Sequence, residues 1–175
     1  CTAGEPKEMA PTVSPLTAAE HQRAASFEKG RPVVGTTYFY WYDVESKAHI
    51  LNHNGSDGLT THPADMEGIS YRRVAWHKGQ LRDMMDAGID FLMPVYWGVP
   101  GEYDGWSFIG LPPLVEAHTE LEKEGLAPPS IGLFYDTSIL RANRSNPDGS
   151  NYHVDLTTER GRQWFYAAIR KFFRR

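Results

Sequence analysis

Three apolar runs, each rich in aromatic residues at its end and each followed by a helical pattern, constrain this chain more than any other feature. The first, Val33-Val34-Gly35-Thr36-Thr37-Tyr38-Phe39-Tyr40-Trp41-Tyr42, carries no charge before Asp43. The second runs from Ile89 to Trp97 and the third from Ser130 to Asp136. Runs of β-branched and aromatic residues favour strands. Near-continuous apolar character suits parallel strands covered on both faces. Between the runs, Val74, His77, Leu81, Met84 and Met85 recur at i, i+3/i+4 spacing. That predicts a helix over 71–87, capped by Ser70 and closed by Gly88. A second helix is expected over 112–124, opened by Pro112 or Pro113, striped by Leu114, Val115, His118 and Leu121, and ended by Gly125. A third covers 158–173, with Thr157 as its cap and Phe165, Ala168, Ile169 and Phe172 facing inward. Pro94 counts against a central position for the second strand unless it sits at a bulge or an end.

Alternation of strand and helix implies an α/β protein with a parallel sheet and right-handed crossovers. Two closed solutions exist, an open doubly wound sheet or a (β/α)8 barrel. The loops after the strands are long and those after the helices short, as at Gly88-Ile89. Ligand sites in both architectures lie at the C-terminal ends of the strands.

That end is where the aromatic residues gather. The chain holds five Trp, nine Tyr and eight Phe. Strand 1 ends in Tyr40, Trp41, Tyr42 and Asp43, strand 2 in Tyr96 and Trp97, and strand 3 in Tyr135 and Asp136. A sugar ring has an apolar C–H face and a hydroxyl edge, so flat rings beside Asp and His suit it. The expected glycan-binding set is Tyr40, Trp41, Tyr42, Asp43, His62, Tyr96, Trp97 and Asp136, with His62 stiffened by Pro63. A phosphate site would want a glycine-rich turn opening a helix, and none occurs. No G-x-S-x-G elbow is present either. Glycoside hydrolysis normally uses two carboxylates flanking the bond. Asp43 and Asp136 are the strand-end candidates, with Glu102 and Asp104 behind them.

The connection 43–70 holds His49, His53, His62, Asp57 and Asp65. Its Asn52-x-Asn54-x-Ser56 run has Asp57 where a calcium loop needs glycine. It reads as a polar lid, with no metal and no cofactor expected. His77 and His118 lie on apolar helix faces and read as satisfied core histidines, while Asp90 sits at the opposite, stability end of strand 2.

The formal net charge of −4, without a basic face, disfavours nucleic acid as a partner. No apolar run approaches the ~18 residues of a membrane helix. The single cysteine is Cys1. A chain beginning this way resembles a mature bacterial lipoprotein, acylated on that cysteine. The resemblance implies export to the cell surface or periplasm, with membrane attachment only through the lipid. Residues 1–30, with Pro6, Pro11 and Pro15 and few large apolar side chains, then form a flexible tether before a domain at 31–175.

The run from Val34 to Asp43, the loop Gly58-Leu59-Thr60-Thr61-His62-Pro63, Trp76-His77, and Ala87-Gly88-Ile89-Asp90 leading to Tyr96-Trp97 look like the start of a glycosidase-like (β/α)8 barrel. Asp155-Leu156-Thr157-Thr158-Glu159-Arg160-Gly161 before Trp164-Phe165-Tyr166 fits the same pattern. Over residues 31–175 the chain resembles an uncharacterised bacterial family of glycoside hydrolase-like barrels, related in pattern to endo-α-mannosidases and α-1,3-glucanases. The resemblance implies the first three βα units of eight, with sugar-contact character at Tyr40, Trp41, Asp43, His62, Trp97 and Asp136. It places the acid and base carboxylates on later strands. Two other readings stay open: a non-catalytic carbohydrate-binding lipoprotein on the same scaffold, and a small flavodoxin-like binding domain. Open sheet edges weigh against the second.

Overall fold

The computed structural model describes Gly30 and residues 32–63, 66–97, 106–138 and 155–174. The chain divides between Pro32 and Val33. Of the first unit only Gly30 and Pro32 are described, so the expected tether and Cys1 lie outside the described residues, as do Asp65, Glu102 and Asp104. The second unit is mixed α/β. In chain order it contains β1 (Gly35–Tyr38), α1 (Val74–Asp86), β2 (Phe91–Tyr96), α2 (Trp106–Lys123), β3 (Ser130–Ile131), β4 (Phe134–Tyr135) and α3 (Glu159–Phe173). All the strand pairings are parallel: β1 pairs with β2 from Gly35↔Phe91 to Tyr38↔Pro94, and both β3 and β4 pair with the other side of β2.

Pro94 therefore sits in the middle of the central strand, and the ladder shows the consequence. Leu92 O accepts from Gly132 N at 2.8 Å and Tyr96 O from Asp136 N at 3.0 Å, so the even-numbered residues of β2 face the third strand. The N–H that proline lacks falls on that side, opposite Gly132. The single third strand expected over 130–136 is accordingly split into β3 and β4, with Gly132-Leu133 between them.

One face of the sheet carries the core. Tyr38, Tyr40, Leu92 and Tyr96 bury their side chains with Leu81 of α1, Leu111, Leu114 and Leu121 of α2, and Ala168 and Phe172 of α3. The helical stripes are as the periodicity predicts, with His77 and Leu81 buried on α1 and Leu114 and Leu121 on α2. Gly88 and Gly125 take φ of 71° and 81° just past α1 and α2. At each, two crossed backbone bonds close the helix, Ile89 N→Met84 O and Gly88 N→Met85 O in the first, Leu126 N→Leu121 O and Gly125 N→Glu122 O in the second. These are Schellman ends, for which glycine in the left-handed region is suited. Lys78 reaches Glu120 at 2.7 Å and Arg82 reaches Glu124 at 2.7 Å, tying α1 to α2.

Three helix starts differ from expectation. Arg73, without a side-chain cap bond, precedes α1, while Ser70 instead pairs with Asp43 in an antiparallel bridge. α2 begins at Trp106, well before the prolines, which lie inside it. Its early turn is held by packing: Ser107, Phe108 and Leu111 are buried. Thr158, not Thr157, caps α3, accepting from Gly161 N at 3.1 Å, because Thr157 is engaged with the Asp155 carboxylate.

The other face of the sheet, by contrast, is not covered by the described residues over much of its extent. Phe39 is 46% exposed and Phe134 38%. Cover on this second face is thus partial among the described residues, where Val95 of β2 is buried but Phe39 and Phe134 are exposed.

Candidate functional site

Strand parity sorts the expected site residues into two groups. Tyr38 and Tyr40 join the core on the helix side, while Phe39 and Trp41 pack together on the open side, and Tyr42 is half-buried beside His49. Tyr40 is 2% exposed and Tyr96 0%, both inside the core. The Tyr40 hydroxyl donates to Ser107 O at 2.8 Å, and burial pushes its pKa well above the usual tyrosine value. These two rings hold the sheet to α2 and present no face to a ligand.

On the open side, Trp41 packs against Phe39 at 5.4 Å between centroids and stacks on His49 at 5.4 Å and 26°. Phe39 in turn meets Phe134 of β4 at 6.4 Å. Trp97 and Asp136 extend the β2–β4 pairing by one residue on this same side. The Trp97 indole Nε1 donates to Ser138 Oγ at 3.1 Å, and Asp136 Oδ1 accepts from Ser138 N at 3.0 Å. Trp41, Trp97 and Asp136 thus follow the C-terminal ends of β1, β2 and β4, and His49 of the 43–70 loop meets both Trp41 and Tyr42. His49 has its pKa lowered by partial burial, which keeps the imidazole neutral at neutral pH.

Ser107 fixes the position of Trp97. Its buried hydroxyl accepts from Trp97 N at 2.9 Å and donates to Val95 O at 3.2 Å. Ser107→Ala leaves those two backbone groups without their partner, so a loss of about 1–2 kcal/mol is expected in urea unfolding.

Asp43 is 1% exposed, at the base of the 43–70 loop. That loop is closed by Val44 N→Ile69 O at 3.0 Å and Tyr71 N→Tyr42 O at 3.0 Å. Asp43 Oδ2 accepts from Ser46 N at 3.2 Å and from the Ser46 hydroxyl, with Arg72 Nε at 3.6 Å. Oδ1 is buried and has no hydrogen-bond partner among the described residues. Burial works to raise this carboxyl, but the surrounding Ser46 and Ser70 groups and the Glu45 backbone outweigh it and hold it below the usual aspartate value. The arrangement keeps Asp43 ionised as the anchor of the loop. Asp43 and Asp136 do not share an exposed surface. His62 lies on the surface, 53% exposed, with Nε2 2.8 Å from Asp57. No group of three or more His, Cys, Asp or Glu that could hold a metal occurs among the described residues.

Sequence reasoning missed a groove of about 690 Å3 between this loop and the outer side of α1. Tyr42, Ile50, Thr60, Trp76, Gln80 and Asp83 are among its walls. The signal available for it was the position of Gly79 and Trp76 on the side of α1 away from Leu81.

The fold and this rim define an α/β protein with a parallel sheet whose strand ends carry aromatic and acidic side chains. Residues 17–175 match the family described as Domain of unknown function (DUF5010), and the chain belongs to that family. No curated protein and no solved structure matches the chain. No helix among the described residues is long and apolar enough to cross a membrane.

Proposed function

We propose that this chain forms the glycan-binding face of a glycoside hydrolase-like (β/α)8 barrel, contributing its first three βα units. One observation carries the reading: Trp41, stacked on His49, follows β1, and Trp97 and Asp136, both bonded to Ser138, follow the neighbouring parallel β2 and β4. Function concentrates at that end of parallel α/β folds. The indoles offer flat apolar surfaces for sugar C–H faces, and Asp136 and His49 offer hydroxyl partners. The parallel sheet with helices against one face supports the barrel, since the opposite face is the one a barrel encloses.

Between catalysis and binding, the position of Asp43 favours binding for these residues. Enclosed at the loop base, it does not pair with Asp136 across an open site. The acid and base of a hydrolase then belong elsewhere in the barrel. Export with acylation of Cys1 forms part of the same proposal, and palmitate labelling of the precursor tests it.

Screening the chain on a glycan array tests the main reading. Trp41→Ala should weaken binding to the best glycan by about tenfold or more, as loss of an aromatic anchor does, with an unchanged circular dichroism spectrum. Equal binding by the wild type and the variant, or no binding to any glycan, would falsify it.

A further inference from the structure

The groove outside α1 meets the strand-end rim at Tyr42, and three observations bear on what it holds. First, its walls are amphipathic. Trp76 and Tyr42 supply flat rings, Ile50 an apolar side, and Gln80, Asp83 and Thr60 the polar edge. Secondly, Trp76 is held in place from behind. Its ring stacks on Tyr38 at 6.0 Å and 24° and meets His77 at 4.9 Å. A ring fixed in this way loses little freedom when a ligand settles on it. Thirdly, α1 carries Gly79 in its interior. Glycine in a helix costs up to about 1 kcal/mol relative to alanine. Nothing lies within 4 Å of where a Cβ would stand on Gly79, so no close contact inside the protein requires it. Gly79 follows Trp76 by three residues and precedes Asp83 by four, on one helix face. Its missing side chain leaves open the floor between the ring and the carboxylate.

We infer that this groove is a second carbohydrate-binding site, in which a sugar ring lies over Gly79 against Trp76 and hydrogen-bonds to Gln80 and Asp83. The ligand class rests on the glycan reading of the strand-end rim. Pockets of about 300–1,000 Å3 accommodate small ligands, so the groove has room for a short oligosaccharide. Planar amide and carboxylate groups can each engage two neighbouring hydroxyls, which suits the vicinal diols of a pyranose. Tyr42 links the groove to the exit of strand 1, so a long glycan could extend from one site toward the other.

The test titrates the full chain with cellohexaose, mannohexaose, laminarihexaose and chitohexaose by isothermal calorimetry. It compares the wild type with Gly79→Leu, Gln80→Ala and Trp41→Ala. Leucine is a good helix former, so Gly79→Leu should fold and raise the melting temperature while its side chain fills the groove floor. The expected result is at least a tenfold loss of affinity for one of these sugars in Gly79→Leu, a smaller loss in Gln80→Ala, and retention of this component in Trp41→Ala. Unchanged affinity in Gly79→Leu, with binding abolished in Trp41→Ala, overturns the groove site and leaves the rim reading standing. Loss in Gly79→Leu alone supports the groove and removes the rim. Absence of binding to all four sugars by the wild type overturns the groove proposal.

Discussion

Gly110→Ala should destabilise the protein by about 1–3 kcal/mol, although alanine in a helix interior normally stabilises by up to about 1 kcal/mol over glycine. Gly110 lies in α2, where the helix crosses the end of strand 1. A Cβ there would stand 2.5 Å from Cε2 of Tyr40 and 2.7 Å from its Cδ2. Tyr71 O is 3.3 Å away on another side. The Tyr40 ring has little freedom to retreat. It is buried, stacked against Tyr38 at 5.5 Å, and held at its hydroxyl by Ser107 O. Any retreat lengthens that bond or displaces α2. Gly79→Ala on α1 is the matched control, because its Cβ meets nothing and should bring the ordinary helix gain. Urea unfolding of both variants therefore checks opposite signs. Stabilisation by both would show that Tyr40 can move aside, and the close packing of α2 on strand 1 would not then constrain the fold.

The alternation of strands and helices, the two glycine helix ends and the apolar stripes were legible because each is a local property. Gly88 and Gly125 mark chain reversals that depend on their own φ, and His77 and Leu81 follow from the helical period alone. The start of α2 was not legible. Residues 106–111 precede two prolines and follow a glycine-rich stretch, so local rules place them in a loop. They are helical where Tyr40, 67 residues away from Ser107, supplies the anchor. The split of the third strand depended on which neighbour Pro94 faces, a matter of register. The site suffered most from this. A strand end in which every residue from Tyr38 to Tyr42 is aromatic shows no apolar–polar alternation, so the sequence marks all of them as candidates. Only pairing with β2 and the helices decides that Tyr40 enters the core and Trp41 the open face. The groove was hidden for a similar reason, since it forms where a long loop folds back along α1.

Acidification from pH 6.5 to 4 should remove about 3 kcal/mol of folding stability through His77 alone. The side chain is fully buried, with Nε2 2.9 Å from Tyr71 O and Nδ1 3.0 Å from the Tyr38 hydroxyl. A carbonyl can only accept, so Nε2 carries the proton and Nδ1 accepts from Tyr38. Protonation would put the ring's second hydrogen on Nδ1, opposing the Tyr38 donor, in a pocket that disfavours charge. Burial is the main cause that lowers the pKa from 6.5 to about 4, and the bond to Tyr71 O opposes it only in part. Between those values the unfolded chain binds a proton that the folded chain excludes. Stability therefore rises with pH across this window, is complete above 6.5, and falls away as pH drops toward 4. A difference of about 2.5 pH units at 1.36 kcal/mol each gives the stated size. His49, also lowered by burial, acts with the same sign. The depressed carboxylates Asp43, Glu124, Asp155 and Glu159 release their contribution at lower pH, around and below the ordinary carboxylate range. The two windows separate when urea midpoints are followed from pH 8 to 4. His77→Gln, whose amide can still donate to Tyr71 O, should be less stable at pH 8 and should flatten the slope between 6.5 and 4.5. An unchanged slope in that variant would assign the acid sensitivity to other groups. It would also mean that His77 accepts its second proton inside the folded protein, which requires Tyr38 to turn its hydroxyl away.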